Sequence, residues 1–100
     1  MVTENKKIAV VKDQSYKNIT WTDITNPTQQ QVDKLADTYS FHPLHLEESL
    51  LVGSLPQFEK EADYLFLLLH VPTFDEAEGK IVAGQIAIFM GKNYLITIHT

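Results

Sequence analysis

Three apolar stretches in the second half of the chain, Tyr64 to Val71, Ile81 to Met90 and Tyr94 to His99, limit most sharply what it can fold into. No window reaches the ~18 apolar residues that a membrane-spanning helix requires, and His70 interrupts the longest run. Tyr64-Leu65-Phe66-Leu67-Leu68-Leu69-His70-Val71 is otherwise continuous, as expected of a strand covered on both faces. Ile81 to Met90 alternates, with Ile81, Ala83, Gln85, Ala87 and Phe89 set against Val82, Gly84, Ile86, Ile88 and Met90. Gly91-Lys92-Asn93 then turns the chain into a further strand, Tyr94 to His99. These segments form an antiparallel hairpin joined to the preceding strand as a meander, with Pro72 to Lys80 as an acidic, Gly79-containing connection. An unpaired edge along Tyr94 to His99 would recruit other chains.

The first half supplies two more strands and two helices. Lys7 to Lys12 is rich in β-branched residues and reads as a short strand, with Asp13 to Lys17 a polar connection after it. Asn18 to Ile24 alternates, Ile19, Trp21 and Asp23 against Thr20, Thr22 and Ile24, as in a half-buried strand with the indole packed inward. Asn26 as cap, Pro27 as first helical residue and Gln29 three residues after the cap predict a helix from about Pro27 to Tyr39. Val32, Leu35, Ala36 and Tyr39 form its apolar stripe. Pro43 opens a second, shorter helix, in which Glu47 and Glu48 sit early enough to favour the positive end of the dipole. Gly53 and Pro56 end it. The expected class is α+β of the α/β sandwich type: a mixed, largely antiparallel sheet with two helices after the second strand.

Composition narrows the function classes. With 100 residues there is room for one domain spanning residues 1–100, and 44% apolar with 21% charged residues is ordinary for a folded chain. Without cysteine there is no disulfide, thiolate catalysis or cysteine zinc site. The net charge is -5 and the eight basic residues are all scattered lysines, so nucleic acid is not an expected partner. Met1 to Lys7 lacks the apolar stretch of a signal peptide. The end at Thr100, inside an apolar strand without polar tail or breaker, reads as an excerpt of a longer protein.

Few residues could carry chemistry. His42 and His45, followed by Glu47 and Glu48, are the ligand-like cluster, since imidazole and carboxylate three or four residues apart on a helix can share a metal. A closed zinc site needs four ligands, so the simpler reading puts His42 near a helix start and His45 partly exposed. Asp75, Glu76 and Glu78 lack the offsets of a calcium loop and read as a solvated hairpin connection. Adjacent Glu47 and Glu48 diverge by about 100° on a helix, which is poor for paired-carboxylate catalysis. No nucleophile elbow, P-loop or dinucleotide fingerprint is present, so no enzyme is expected.

The order of motifs goes further. Trp21-Thr22-Asp23-Ile24 with Asn26-Pro27-Thr28 resembles the W-x-D-[IL]…P-[ST] opening of the CorA family's cytoplasmic domain. Phe41-His42-Pro43-Leu44-His45-Leu46-Glu47-Glu48 is similar to that family's segment hydrophobic-His-Pro-Leu-x-Leu-Glu-Asp. Pro56, Phe58 and Glu59 with Tyr64-Leu65-Phe66 resemble the stretch that comes next, and Gln85 to His99 resembles the family's final hairpin. The likeness runs in unbroken order from about Ile19 to Thr100. Ser54-Leu55-Pro56-Gln57 departs from the Gln-Arg-Pro-Lys of many members.

The resemblance implies an αβα sandwich at the cytoplasmic face of the cell membrane, followed by a stalk helix and two membrane helices with a Gly-Met-Asn pore signature. It implies a homo-oligomer, a pentamer, that conducts Mg2+ with Co2+ or Ni2+ as analogues; some relatives export zinc. It also implies a regulatory Mg2+ half-site at Glu48, whose partner carboxylate lies on a neighbouring subunit's stalk. Glu48 replaces the family's Asp, moving the carboxylate outward by about 1 Å or more; a hydrated Mg2+ held through water tolerates that shift. Glu47, His42 and His45 are weaker metal candidates, and no cofactor is expected to bind this piece tightly. The alternative is a free-standing metal- or ligand-binding sensor module using His42, His45 and Glu48.

Overall fold

A computed structural model describes residues 10–51 and 53–100. Strands β1 (Val10–Tyr16) and β2 (Ile19–Thr25) precede helices α1 (Gln29–Tyr39) and α2 (Pro43–Leu50). Strands β3 (Gln57–Lys60), β4 (Leu65–Asp75), β5 (Lys80–Met90) and β6 (Tyr94–His99) follow. One six-stranded sheet has the order β1-β2-β6-β5-β4-β3. All neighbours are antiparallel except β2 and β6, which run parallel with Ile24 opposite Ile98. The class is α+β: a mixed sheet with two helices after the second strand.

The first hairpin differs from expectation. Of the strand predicted at Lys7 to Lys12, Lys7 to Ala9 lie outside the described residues. Asp13 to Tyr16, expected as a connection, belong to β1, and the reversal is confined to Lys17 and Asn18, with Lys17 at φ 54°. Polar residues suit this strand because it is an exposed edge, where Thr22 Oγ1 donates to Asp13 Oδ1 at 2.7 Å. On β2 the faces are reversed from the prediction. Ile24 is buried against the helices, and Trp21 stands on the other face, 44% exposed.

Helix α1 starts two residues later than predicted. Asn26 has φ 52° and its N–H donates to the His99 carbonyl at 2.7 Å, so it prolongs the sheet and does not cap. Thr28 is the cap: its hydroxyl accepts from Gln31 N–H at 3.2 Å, and Gln31 Oε1 accepts from Thr28 N–H at 2.9 Å. Ser40, left-handed at φ 57°, closes the helix. Helix α2 opens at Pro43 as expected, with His42 Nδ1 accepting from Leu44 N–H at 3.0 Å. Glu47 and Glu48 lie beyond its first turn, which holds no acidic residue, so the expected dipole interaction there is lost.

Both helices cover one face of the sheet. Val32 and Leu35 of α1 and Leu46 of α2 meet Ile24, Phe66, Leu68, Ala87, Phe89, Ile96 and Ile98. Phe41 between the helices stacks on Phe89 with centroids 4.2 Å apart and on Tyr39 at 5.1 Å. The continuous apolar run of β4 was expected to be covered on both faces. Instead Phe66 and Leu68 are fully buried while Leu69 is 39% exposed, because both helices pack on the same side.

The long hairpin and the last strand correct two further expectations. Strand β4 continues through Pro72 to Asp75, so the acidic connection shrinks to residues 76–79. Asp75 organises it, accepting from Ala77 N–H and Glu78 N–H, while Gly79 at φ 66° donates to the Asp75 carbonyl. Strand β6 has no free edge, being paired with β5 on one side and β2 on the other. No helix among the described residues is long and apolar enough to cross a membrane.

Replacing Phe89 by Ala should cost about 3–5 kcal/mol in urea denaturation, since it removes the ring shared by Phe41, Tyr64 and Phe66. Replacing Thr28 by Ala should cost only about 1 kcal/mol, through the lost cap.

Candidate functional site

Strand alternation and the helical turn together decide what the side chains of α2 meet. Register along β3 pairs Gln57 with Leu68 and Glu59 with Phe66, placing both polar side chains on the helix-covered face. Helix α2 presents His45 and Glu48, three residues apart and so on one face, to that strand. Gln57 Nε2 donates to Glu48 Oε2 at 2.6 Å, and His45 Nε2 lies 2.8 Å from Glu59 Oε1.

His45 is 2% exposed, not partly exposed as the sequence suggested. Its ring stacks on Phe66 with centroids 4.3 Å apart and 13° between planes, and meets Tyr64 edge-on at 86°. One tautomer satisfies all the surrounding bonds. His42 N–H donates to Tyr64 Oη at 2.9 Å, so the phenol's own proton is directed to His45 Nδ1, 2.8 Å away. Nε2–H then donates to Glu59. A single chain of hydrogen bonds thus runs from the start of α2 through Tyr64 and His45 to the end of β3.

The four residues picked out by sequence do not converge. His42 is exposed and engaged in capping, although its ring lies 5.3 Å from that of His45. Glu47 points to solvent. Glu48 is partly buried, with Oε2 held by Gln57 and Oε1 enclosed without a hydrogen-bond partner. The side chains that do converge are His45, Glu59 and Glu61, whose ligand-type atoms all lie within 4.8 Å of one another. In the sequence Glu59 stands out only within the family resemblance, and Glu61 carries no candidate role. Their i, i+2 spacing, which puts both on one side of an extended chain, was the available signal.

Gln85 and His70 secure the far end of α2. Gln85 Nε2 donates to the Leu51 carbonyl at 2.6 Å and the Glu48 carbonyl at 3.3 Å, and His70 Nε2 lies 2.6 Å from the Ser54 carbonyl. Leu51, His70 and Gln85 border a cleft of about 500 Å3 that does not include His45. The acidic turn after β4 behaves as expected of a solvated connection, with Glu78 paired to Lys80 at 3.0 Å.

A second polar network lies on the opposite face, and nothing in the sequence reading foresaw it. Trp21 Nε1 donates to Thr97 Oγ1 at 2.9 Å, and Thr97 Oγ1 donates to Asp23 Oδ1 at 2.6 Å. His99 Nε2 meets both Asp23 oxygens at 2.9 and 3.0 Å, while its Nδ1 lies 3.1 Å from the Thr100 carbonyl. Parallel pairing of β2 with β6 sets Asp23 opposite Thr97 and Thr25 opposite His99. Both imidazole nitrogens face acceptors, so the protonated ring satisfies them best. Burial alone would push the Asp23 carboxyl up, but hydrogen bonds from Thr97 and His99 and the nearby positive charge outweigh it and hold it below its usual value. Burial would likewise depress His99, but the Thr100 carbonyl and Asp23 outweigh it and raise it.

The sign of the pH dependence follows. The Asp23 contribution is present above the ordinary carboxyl value of about 4 and lost as pH falls through its depressed folded value. The His99 contribution is complete below about 6.5 and lost as pH rises through its elevated folded value. Thermal unfolding should therefore show a higher midpoint at pH 6 than at pH 8.5, and Asp23→Asn should shrink that difference.

Comparisons with known proteins place the chain. Residues 16–100 match the family described as CorA-like Mg2+ transporter protein. The cobalt/magnesium transport protein CorA of Thermotoga maritima is 28% identical over 78 residues, covering 77% of this chain and 22% of that protein. The putative metal ion transporter YfjQ of Bacillus subtilis is 25% identical over 79 residues, covering 79% of this chain and 24% of that protein. The chain thus spans under a quarter of the length of these two relatives. In structure it is similar to the soluble domain of CorA from Methanocaldococcus jannaschii, with a TM-score of 0.70 at 24% identity, over 83% of this chain and 32% of that one. With the match extending from the end of β1 through β6, the chain belongs to the CorA-like Mg2+ transporter family.

Proposed function

We propose that the chain is part of the cytoplasmic regulatory and assembly domain of a CorA-like divalent cation transporter, with Mg2+ and Co2+ as cargo. The observation that carries this reading is the family match over residues 16–100, together with a fold similar to the CorA soluble domain. Transport itself would belong to segments beyond this piece, arranged as a pentamer around a pore. No catalytic role is assigned to any residue.

Within that reading Glu48 is half of a regulatory Mg2+ site, completed by a carboxylate of a neighbouring subunit. Its surroundings favour the role in one respect. The enclosed Oε1 has no hydrogen-bond partner, a costly state that a cation or its water shell would relieve once the side chain turned outward. The Gln57 amide on Oε2 holds the carboxylate inward until then. Glu47, exposed beside it, is the second acidic candidate, and His42 is disfavoured by its capping bond.

Reading the parent gene past Thr100 tests the proposal. A long helix, two apolar spans and Gly-Met-Asn are expected; a stop codon there would overturn it. Titration calorimetry of this chain with MgCl2 should show binding weaker than micromolar, because half the ligands are missing; submicromolar affinity would contradict the half-site.

A further inference from the structure

We propose that His45, Glu59 and Glu61 form a binding site for a borderline divalent metal ion such as Zn2+ or Co2+, separate from Glu48. The three donors come from α2, from β3 and from the residue just after it, and already lie within 4.8 Å of one another. In a tetrahedral site with metal–ligand bonds of 2.0–2.2 Å, donor atoms stand about 3.3–3.6 Å apart. His45 Nε2 and Glu59 Oε1, hydrogen-bonded at 2.8 Å, need part by only about 0.5–0.8 Å to admit the ion, and the Glu61 carboxylate lies within 4.8 Å of both.

Charge is the first argument for a cation. Two carboxylates share the site with one imidazole, and the side chain of Glu61 makes no hydrogen bond or ion pair among the described residues. The nearest lysine in sequence, Lys60, is carried to the opposite face by the alternation of β3. A divalent ion would neutralise what the cluster leaves uncompensated.

Pre-organisation is the second. The His45 ring is 98% buried, stacked on Phe66 and held at Nδ1 by Tyr64, whose hydroxyl is itself fixed by the His42 amide. These contacts fix the position of the ring, and Tyr64 Oη stands where a ligating histidine needs a partner for its second nitrogen. Metal at Nε2 displaces the proton there, Nδ1 becomes the protonated nitrogen and donates to Tyr64 Oη, and the phenol hydrogen rotates away from the ring. Glu59, 48% exposed, leaves the outer side open for water as the fourth ligand. One nitrogen and two carboxylate oxygens suit Zn2+, Co2+ or Ni2+ better than Mg2+, which prefers an all-oxygen shell and keeps its waters.

The test is calorimetric titration of the chain with ZnCl2 in millimolar MgCl2, alongside visible absorption on adding CoCl2. One equivalent of zinc should bind, and cobalt should give a ligand-field band that zinc abolishes. Because Glu61 holds nothing else in place, Glu61→Gln should leave the metal-free melting temperature unchanged while weakening zinc at least about tenfold, and Tyr64→Phe should weaken it about 10–100-fold. Glu48→Gln should leave it unaltered. Absence of stoichiometric binding, wild-type affinity in Glu61→Gln, or loss of binding in Glu48→Gln would overturn the site. None of these outcomes bears on the Glu48 half-site, in which neither Glu59 nor Glu61 takes part.

Discussion

The parallel pairing of β2 with β6 is the bond on which the rest of the structure depends. It ties the first hairpin to a meander that begins over thirty residues later, and it makes β6 interior to the sheet. Because the two strands run the same way, the chain must cross over between them, and α1 and α2 travel in that crossover. Ile24, Ile96 and Ile98 then lie side by side in the buried core, and the aromatic cluster around Phe41 closes the joint between the helices. Remove the pairing and the helices have only half a sheet to cover.

Strand alternation does the finer work. A shift of one residue in β3 would send Glu59 to the outer face and bring Phe58 under α2. The observed register instead delivers Gln57 to Glu48 and Glu59 to His45, so two polar side chains of the helix are each answered by one from the strand. The same rule on β2 and β6 gathers Trp21, Asp23, Thr97 and His99 on the face away from the helices. One sheet thus carries two polar networks on opposite sides, each built from residues distant in sequence.

Periodicity and turn residues made the elements legible. The stripe Val32, Leu35, Ala36 and Tyr39, the opening at Pro43 and the hairpin around Gly91-Lys92-Asn93 are local patterns, and each corresponds to the element observed. Misreadings arose where a long-range bond overrode the local signal. Asn26 looked like a cap until its N–H was claimed by His99, and Trp21 looked like core until Ile24 took the inward face. Asp13 to Tyr16 are too polar to suggest a strand, yet an edge strand exposed along its length has no need of apolar residues. Of the candidate site, His45 was visible because it stands near a Pro43-led helix start. Glu59, Glu61 and Tyr64 were not, because only the β3–β4 register brings them to it.

Trp21 is the single tryptophan of the chain and stands half-exposed on the sheet face opposite the helices, with its N–H engaged by Thr97. The protein therefore carries an intrinsic fluorophore on the surface that its own helices leave open, while the aromatic cluster under those helices is built of Phe, Tyr and His45 without tryptophan. Emission excited at the red edge of protein absorption reports on that outer face alone. Any layer that settles there will move the indole from water into an apolar setting and shift its light toward the blue, while repacking beneath α1 and α2 stays dark to it.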